Sequence, residues 1–170
     1  AAKSSKIGAN TEVREVPYLR IANVQRGFLD LSEVKTILAT ERDIAELTLK
    51  DGDVLFNEGG DRDKLGHGWV WRNEVAGCIH QNHVFRMRPY LSEVPPELIS
   101  QHGNTFGKTW FQNAGKQTTN LASINMTVFR MFPVPLGPAD EQRELLKQLG
   151  LQIEQIAQQE QTIEFSLKQS

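Results

Sequence analysis

The sequence has 170 residues, 39% hydrophobic and 24% charged, with a formal net charge of −2. A chain of this length forms one globular unit and buries about two-thirds of its unfolded surface without disulfide or metal staples. No apolar run approaches the ~18 residues of a membrane span. The polar stretch 1–11 has no signal-peptide core, and the lone Cys78 has no internal bridging partner, so a cytoplasmic setting is expected. The first residue is not Met, and a trimmed chain or a fragment is expected. The near-zero charge excludes a wholly electrostatic binder but conceals a gradient. Residues 1–60 carry 8 Lys/Arg against 10 Asp/Glu, residues 61–138 carry 8 against 5, and residues 139–170 carry 3 against 6. All four histidines lie in the middle segment, and no acid occurs between Glu97 and Asp140, where Lys108, Lys116 and Arg130 stand with Phe106, Trp110 and Phe111. Basic residues interleaved with aromatics suit a polyanion-facing surface.

In chain order, Pro17–Val24 alternates apolar and polar residues and predicts a half-buried strand. Thr40 with Asp43 three residues on predicts a capped short helix through Leu47. Lys50-Asp-Gly52 predicts a turn before a core strand at Val54–Phe56. The glycine-rich, charged stretch Asn57–Gly68 predicts a surface loop. Trp69–Arg72 and Val84–Arg88 predict short strands, and Pro95-Pro96 starts a helix. A further short helix is expected over Asn104–Asn113, followed by a polar Thr/Asn-rich stretch to Asn125. Beyond Pro138 the residues Leu146, Leu149, Ile153, Ile156, Glu160, Ile163 and Leu167 step by three and four, which predicts a long amphipathic helix with a narrow, coiled-coil-type seam.

Catalytic patterns are weak. The loop Gly59–Gly68 is no phosphate loop, because Lys64 precedes Gly66 rather than following the last glycine. His80 and His83 would be half a zinc site without further ligands, and three-residue spacing on a strand points them to opposite faces. Glu33 and Lys35, with Glu15 upstream, carry a faint nuclease-like pattern that reads better as surface charge on a helix turn. No methyl-donor motif occurs, so neither a catalytic centre nor a metal nor a cofactor is expected. Gln81 and Asn82 are amides of the kind that pair with adenine edges.

Five stretches occur in a telling order: Pro17–Gly27, Asp51–Gly60, Cys78–Arg86, Thr118–Asn125, and Pro133–Leu136 with Glu141-Gln142. Together they resemble the DNA-specificity subunits of type I restriction–modification systems, over nearly all of the chain from about Val16. Pro-Leu-Gly-Pro at 135–138 departs from the family's commoner Pro-Leu-Pro-Pro. The resemblance implies an α+β chain: a mixed-sheet target-recognition domain over 1–138, then a long spacer helix over 139–170. It implies non-catalytic, sequence-specific recognition of double-stranded DNA. The partners it implies are modification subunits that methylate adenine N6 and a restriction/translocase subunit. Since complete subunits carry two domains and two antiparallel helices, this chain resembles half of one. A homodimer through Leu146, Leu149, Ile153, Ile156, Ile163 and Leu167 is expected. DNA contacts are expected from Arg62, Lys64, His67, Lys108 and Lys116, and from Gln81, Asn82, His83, Thr118, Thr119 and Asn120. The rival readings are a stand-alone nuclease using Glu33 and Lys35, and an interaction module whose only task is its helix.

Overall fold

The computed structural model describes residues 12–60, 64–117 and 122–169. Nine strands form three small sheets among these residues. In the first, β1 (Val13–Leu19) lies between β2 (Lys35–Thr40), antiparallel to it, and β6 (Ile79–His80), parallel to it. In the second, β3 (Val54–Asn57) is flanked antiparallel by β5 (Gly68–Val70) and β7 (Val84–Met87). The third joins β4 (Gly59–Gly60), β9 (Ala122–Ser123) and β8 (Lys116–Gln117), all antiparallel. Helices α1 (Glu41–Leu47), α2 (Pro96–Asn104), α3 (Phe106–Ala114) and α4 (Met126–Arg130) surround the sheets. The chain is therefore α+β, and it ends in the 31-residue helix α5 (Ala139–Gln169).

Local signals place most elements where the sequence puts them. The Thr40 hydroxyl caps α1 by accepting from the Asp43 backbone N–H at 3.1 Å. Pro96 opens α2, where its missing N–H costs nothing. The strand expected over Pro17–Val24 differs. It stops at Leu19, and Ile21–Asn23 form a 3-10 turn. Asn23 causes this: its Oδ1 accepts from the Arg20 N–H at 2.9 Å, and its amide group donates to the Asp30 and Glu33 carbonyls, both at 2.9 Å. A buried Asn satisfied by three backbone partners fixes a turn more firmly than weak alternation extends a strand. Glu33 lies in no helix, and Lys35 begins β2, an element the sequence reading did not anticipate.

The Asn57–Gly68 stretch is also not simply a surface loop. Asn57 and Leu65 are fully buried, and Gly59–Gly60 pair as a strand. Burial of Leu65 and the backbone pairing of glycines outweigh the polar composition.

Two apolar clusters share β3. Val54 and Phe56 enter one with Phe85, Ile99, Phe111 and Phe129. Leu55 enters the other with Leu19, Val24, Trp71 and Val84. The Phe56 ring lies against Gly103 of α2, where any Cβ would overlap it. Gly150, on α5, has nothing within 4 Å of a built Cβ. The same substitution therefore has opposite signs at the two sites. Gly103→Ala is expected to destabilise by about 1–3 kcal/mol through overpacking. Gly150→Ala is expected to stabilise by up to about 1 kcal/mol through helix propensity. Urea denaturation of the two variants checks both.

Candidate nucleic-acid interface

Three segments that carry candidate residues meet at the end of β3. The Asn57 backbone N–H donates to the His67 carbonyl at 2.9 Å, and the Asn57 carbonyl accepts from Gly66 at 3.2 Å, which closes the glycine-rich segment onto the strand. The next residue, Glu58, donates its backbone N–H to the His83 carbonyl at 3.0 Å and accepts from the Ile124 N–H at 2.9 Å. Gly59 and Gly60 then pair with Ser123 and Ala122 of the β8–β9 hairpin. A Cβ on Gly59 would stand 3.0 Å from the Ala122 carbonyl oxygen, so glycine permits this approach. Gly66, at φ +67° and against the Phe111 ring, combines a left-handed backbone with a contact that no side chain could share.

The structure thus brings Lys64, His67 and the Gln81–His83 turn to one edge with the backbone of Lys116, which lies two strand spacings, about 10 Å, from β4. Lys64, Asn82 and His83 are exposed, while His67 and Gln81 are half-buried. Arg62, Thr118, Thr119 and Asn120 lie outside the described residues. Lys108 is exposed on the first turn of α3, and among the described residues no side-chain hydrogen bond or ion pair joins it to those loops.

The pattern reading missed two residues. Asn57 is buried at the end of β3, and its amide donates to the Val24 carbonyl at 2.8 Å and the Ile21 carbonyl at 3.3 Å. Alternation along β3 could have found it, since a polar residue at the Leu55 face of a core strand needs a partner. Glu58 accepts a hydrogen bond from His83 Nδ1 at 2.7 Å, with side chains 27% and 52% exposed respectively. No local signal marks that pair.

His80 Nδ1 donates to the Val84 carbonyl at 2.8 Å and the Gln81 carbonyl at 3.1 Å, so the two histidines hold separate partners. Among the described residues no group of three or more His, Cys, Asp or Glu could hold a metal ion. Glu33 is ion-paired to Arg20 at 2.9 Å and to Lys35 at 3.7 Å, and the Arg20 hydrogen bond holds its carboxyl below the usual range. Glu15 instead accepts from the Thr36 hydroxyl at 2.5 Å, and the β1–β2 register, which pairs Tyr18 with Lys35 and Pro17 with Thr36, sets it on the face of the first sheet opposite to Lys35. Cys78 is buried, and desolvation pushes its thiol up to about 12, which makes it inert as a nucleophile. No helix among the described residues is long and apolar enough to cross a membrane.

A long helix projects from the α+β body that carries this edge. The amide of Gln142, in the first turn of α5, donates to the Gly137 carbonyl at 2.6 Å, and a groove of about 530 Å³ lies between α2 and the start of α5, lined by Leu98, His102, Pro135, Leu145 and Leu149. Further along, Ile153, Ile156, Ile163 and Leu167 are 50–70% exposed. The described residues thus form a body with loops gathered at one edge and an amphipathic helix extending from it.

Comparison with known proteins finds two similar sequences. Over 136 residues, 79% of this chain, the sequence is 24% identical to the MjaX type I restriction enzyme specificity subunit of Methanocaldococcus jannaschii, of which it covers 32%. Over 135 residues, 78% of the chain, it is 23% identical to the type I restriction enzyme EcoKI specificity subunit of Escherichia coli strain K12, of which it covers 29%. The chain therefore spans about three-tenths of the length of these curated relatives. No family model matches it.

Burial lowers the pKa of His80 below the ordinary imidazole value of 6.5. Below pH 6.5 the unfolded chain then binds a proton that the folded chain refuses, so stability is full above 6.5 and is lost as pH falls toward the folded value. At most one proton is linked to this site, so the slope stays below about 1.4 kcal/mol per pH unit. Urea midpoints between pH 7.5 and 5.5 should fall in wild type and fall less in His80→Gln.

Proposed function

We propose that this chain is a sequence-specific DNA-recognition module of a type I restriction–modification specificity subunit, without catalytic activity of its own. Its division is at residue 138, a target-recognition domain before it and a spacer helix after it. The observation that carries the reading is the gathering of three polar segments at the end of β3, all pinned by backbone hydrogen bonds. Similarity to two specificity subunits over nearly four-fifths of the chain supports it. The β4–β9–β8 part of that edge is about 10 Å wide between backbones, comparable to a major groove about 12 Å wide. Loops anchored by backbone hydrogen bonds at their ends can present side chains to base edges, while flanking lysines fix register on the phosphates. Adenine-N6 methylation and DNA restriction then belong to modification and restriction/translocase subunits that this module directs.

Phosphate and base contacts predict different phenotypes. Lys64→Ala and Lys116→Ala are each expected to weaken binding to all DNA sequences and to reduce the salt slope by about one unit. Gln81→Ala or Asn82→Ala is expected to cost about 1–3 kcal/mol on the selected site alone. Fluorescence anisotropy titrations at several salt concentrations separate the two. No cleavage is expected on incubation with DNA and Mg²⁺, whereas a nuclease acting through Glu33 and Lys35 would cut.

For this chain on its own, the α5 seam carries a second part of the proposal: two copies pair antiparallel. Pairing about an axis near Ile156 sets Leu146 against Leu167, Leu149 against Ile163, and Ile153 against Glu160. It also brings Glu144 toward Lys168 and Lys147 toward Glu164. A parallel pair would set Glu160 against its own copy, which like-charge repulsion opposes. Each seam residue removed from water contributes roughly 1.5–3 kcal/mol. Ile153→Asp with Ile156→Asp is expected to convert the dimer to a monomer with an unchanged core, read by sedimentation velocity. A wild-type monomer at ~100 μM, far above the micromolar affinity such a seam supplies, would exclude the pairing.

A further inference from the structure

Glu58 places a negative charge amid the segments proposed to face DNA. Its backbone N–H and carbonyl already tie the His83 turn and Ile124 to the end of β3. An alanine would keep both of those bonds, so anchoring does not account for the carboxylate. Its Oε2 accepts from His83 Nδ1 at 2.7 Å, and that is the one side-chain interaction it makes among the described residues. With the proton held on Nδ1, the neutral ring carries its acceptor lone pair on Nε2, at the opposite side of the imidazole. His83 is half-exposed at 52%, and among the described residues Nε2 makes no hydrogen bond. The ring is therefore held at one end and open at the other, on the edge that also presents Gln81 and Asn82.

We propose that Glu58 is a positioning residue that fixes His83 so that Nε2 accepts a hydrogen bond from an amino-bearing base edge in the major groove, adenine N6 or cytosine N4. This rests on the DNA-recognition reading above. In the major groove the exocyclic amino groups are the donors that a bare ring nitrogen can meet, and guanine and thymine present acceptors at the corresponding places. A free imidazole would lose this discrimination by rotating and by moving its proton between nitrogens. The Glu58 carboxylate removes both freedoms before DNA arrives, so little ordering remains to be supplied on binding.

The test is selection of bound duplexes from a randomised library by the full chain, followed by titration of the selected site and of variants with each base pair exchanged. Wild type is expected to prefer an amino-bearing base by about tenfold at one position. Glu58→Ala should flatten the preference at that position and leave the other positions selective. It should also raise affinity for unrelated DNA, because a negative charge is lost from the interface. A merely structural role predicts the reverse, a general loss of affinity with a lowered thermal midpoint. Glu58→Gln, whose amide oxygen can still accept from Nδ1–H, should restore the preference, and His83→Ala should abolish it. A wild-type chain that selects no site overturns the DNA-recognition reading itself. Selection by wild type that Glu58→Ala or His83→Ala leaves intact at every position overturns this inference alone.

Discussion

Val54, Leu55, Phe56 and Asn57 are all buried, and the alternation of side chains along this one short strand feeds two cores at once. Val54 and Phe56 point to the aromatic cluster beneath α2, α3 and α4. There the Phe56 ring lies 5.4 Å from Phe129 and 6.2 Å from Phe111. Leu55 points the other way, to Leu19, Val24 and Trp71. A strand committed on both faces cannot slip by one residue without exchanging its two cores, so its register is fixed. Its flanking strands inherit that register: in β7, Val84 joins one cluster and Phe85 the other. The geometry of α2 follows as well, because Gly103 is the point at which the helix touches the Phe56 ring.

The polar end of the same strand is where burial turns into recognition. Asp53, before β3, is fully buried and answered by Arg88, whose Nε and Nη2 donate to its two carboxylate oxygens at 2.6 and 2.7 Å. Such a bidentate pair tolerates burial because the charges and the donors are both matched. Asn57, past the last apolar residue, spends its amide on the carbonyls of the Ile21–Val24 turn. From there on the chain can carry charge, and Glu58 does so next to His83. The order along the strand runs from matched ion pair through two apolar cores to amide clamp and exposed pair. It delivers candidate reading groups on a support that cannot move independently of the core.

Much of this was legible before any coordinates. The Thr40 cap, Pro96 at the start of α2, the core run Val54–Phe56 and the three-four spacing after Pro138 are all local signals. Each is set by chemistry within one or two helical turns or by side-chain alternation, and the elements appear where those signals place them. The five stretches resembling specificity subunits likewise pointed to the class that the comparisons support. The reading erred where a distant partner decided the local structure. Ile21–Asn23 is a 3-10 turn because Asn23 finds carbonyls at Asp30 and Glu33. Leu65 is buried although it stands in a charged, glycine-rich stretch of sequence.

Periodicity and capping act between near neighbours, so the sequence by itself determined the buried strand β3 and the long seamed helix, and its resemblance to specificity subunits implied the α+β class. Only the tertiary structure decided that the glycine-rich segment, the Gln81–His83 turn and the β8–β9 hairpin share one edge. It alone set Glu58 against His83. Those arrangements rest on backbone hydrogen bonds from the Glu58 N–H to the His83 carbonyl and from the Ile124 N–H to the Glu58 carbonyl, between residues far apart along the chain. A backbone amide carries no side-chain signature, so no residue pattern records which distant carbonyl it will meet. The packing of the two cores around β3 brings the groups within reach, and that packing is a property of the whole fold.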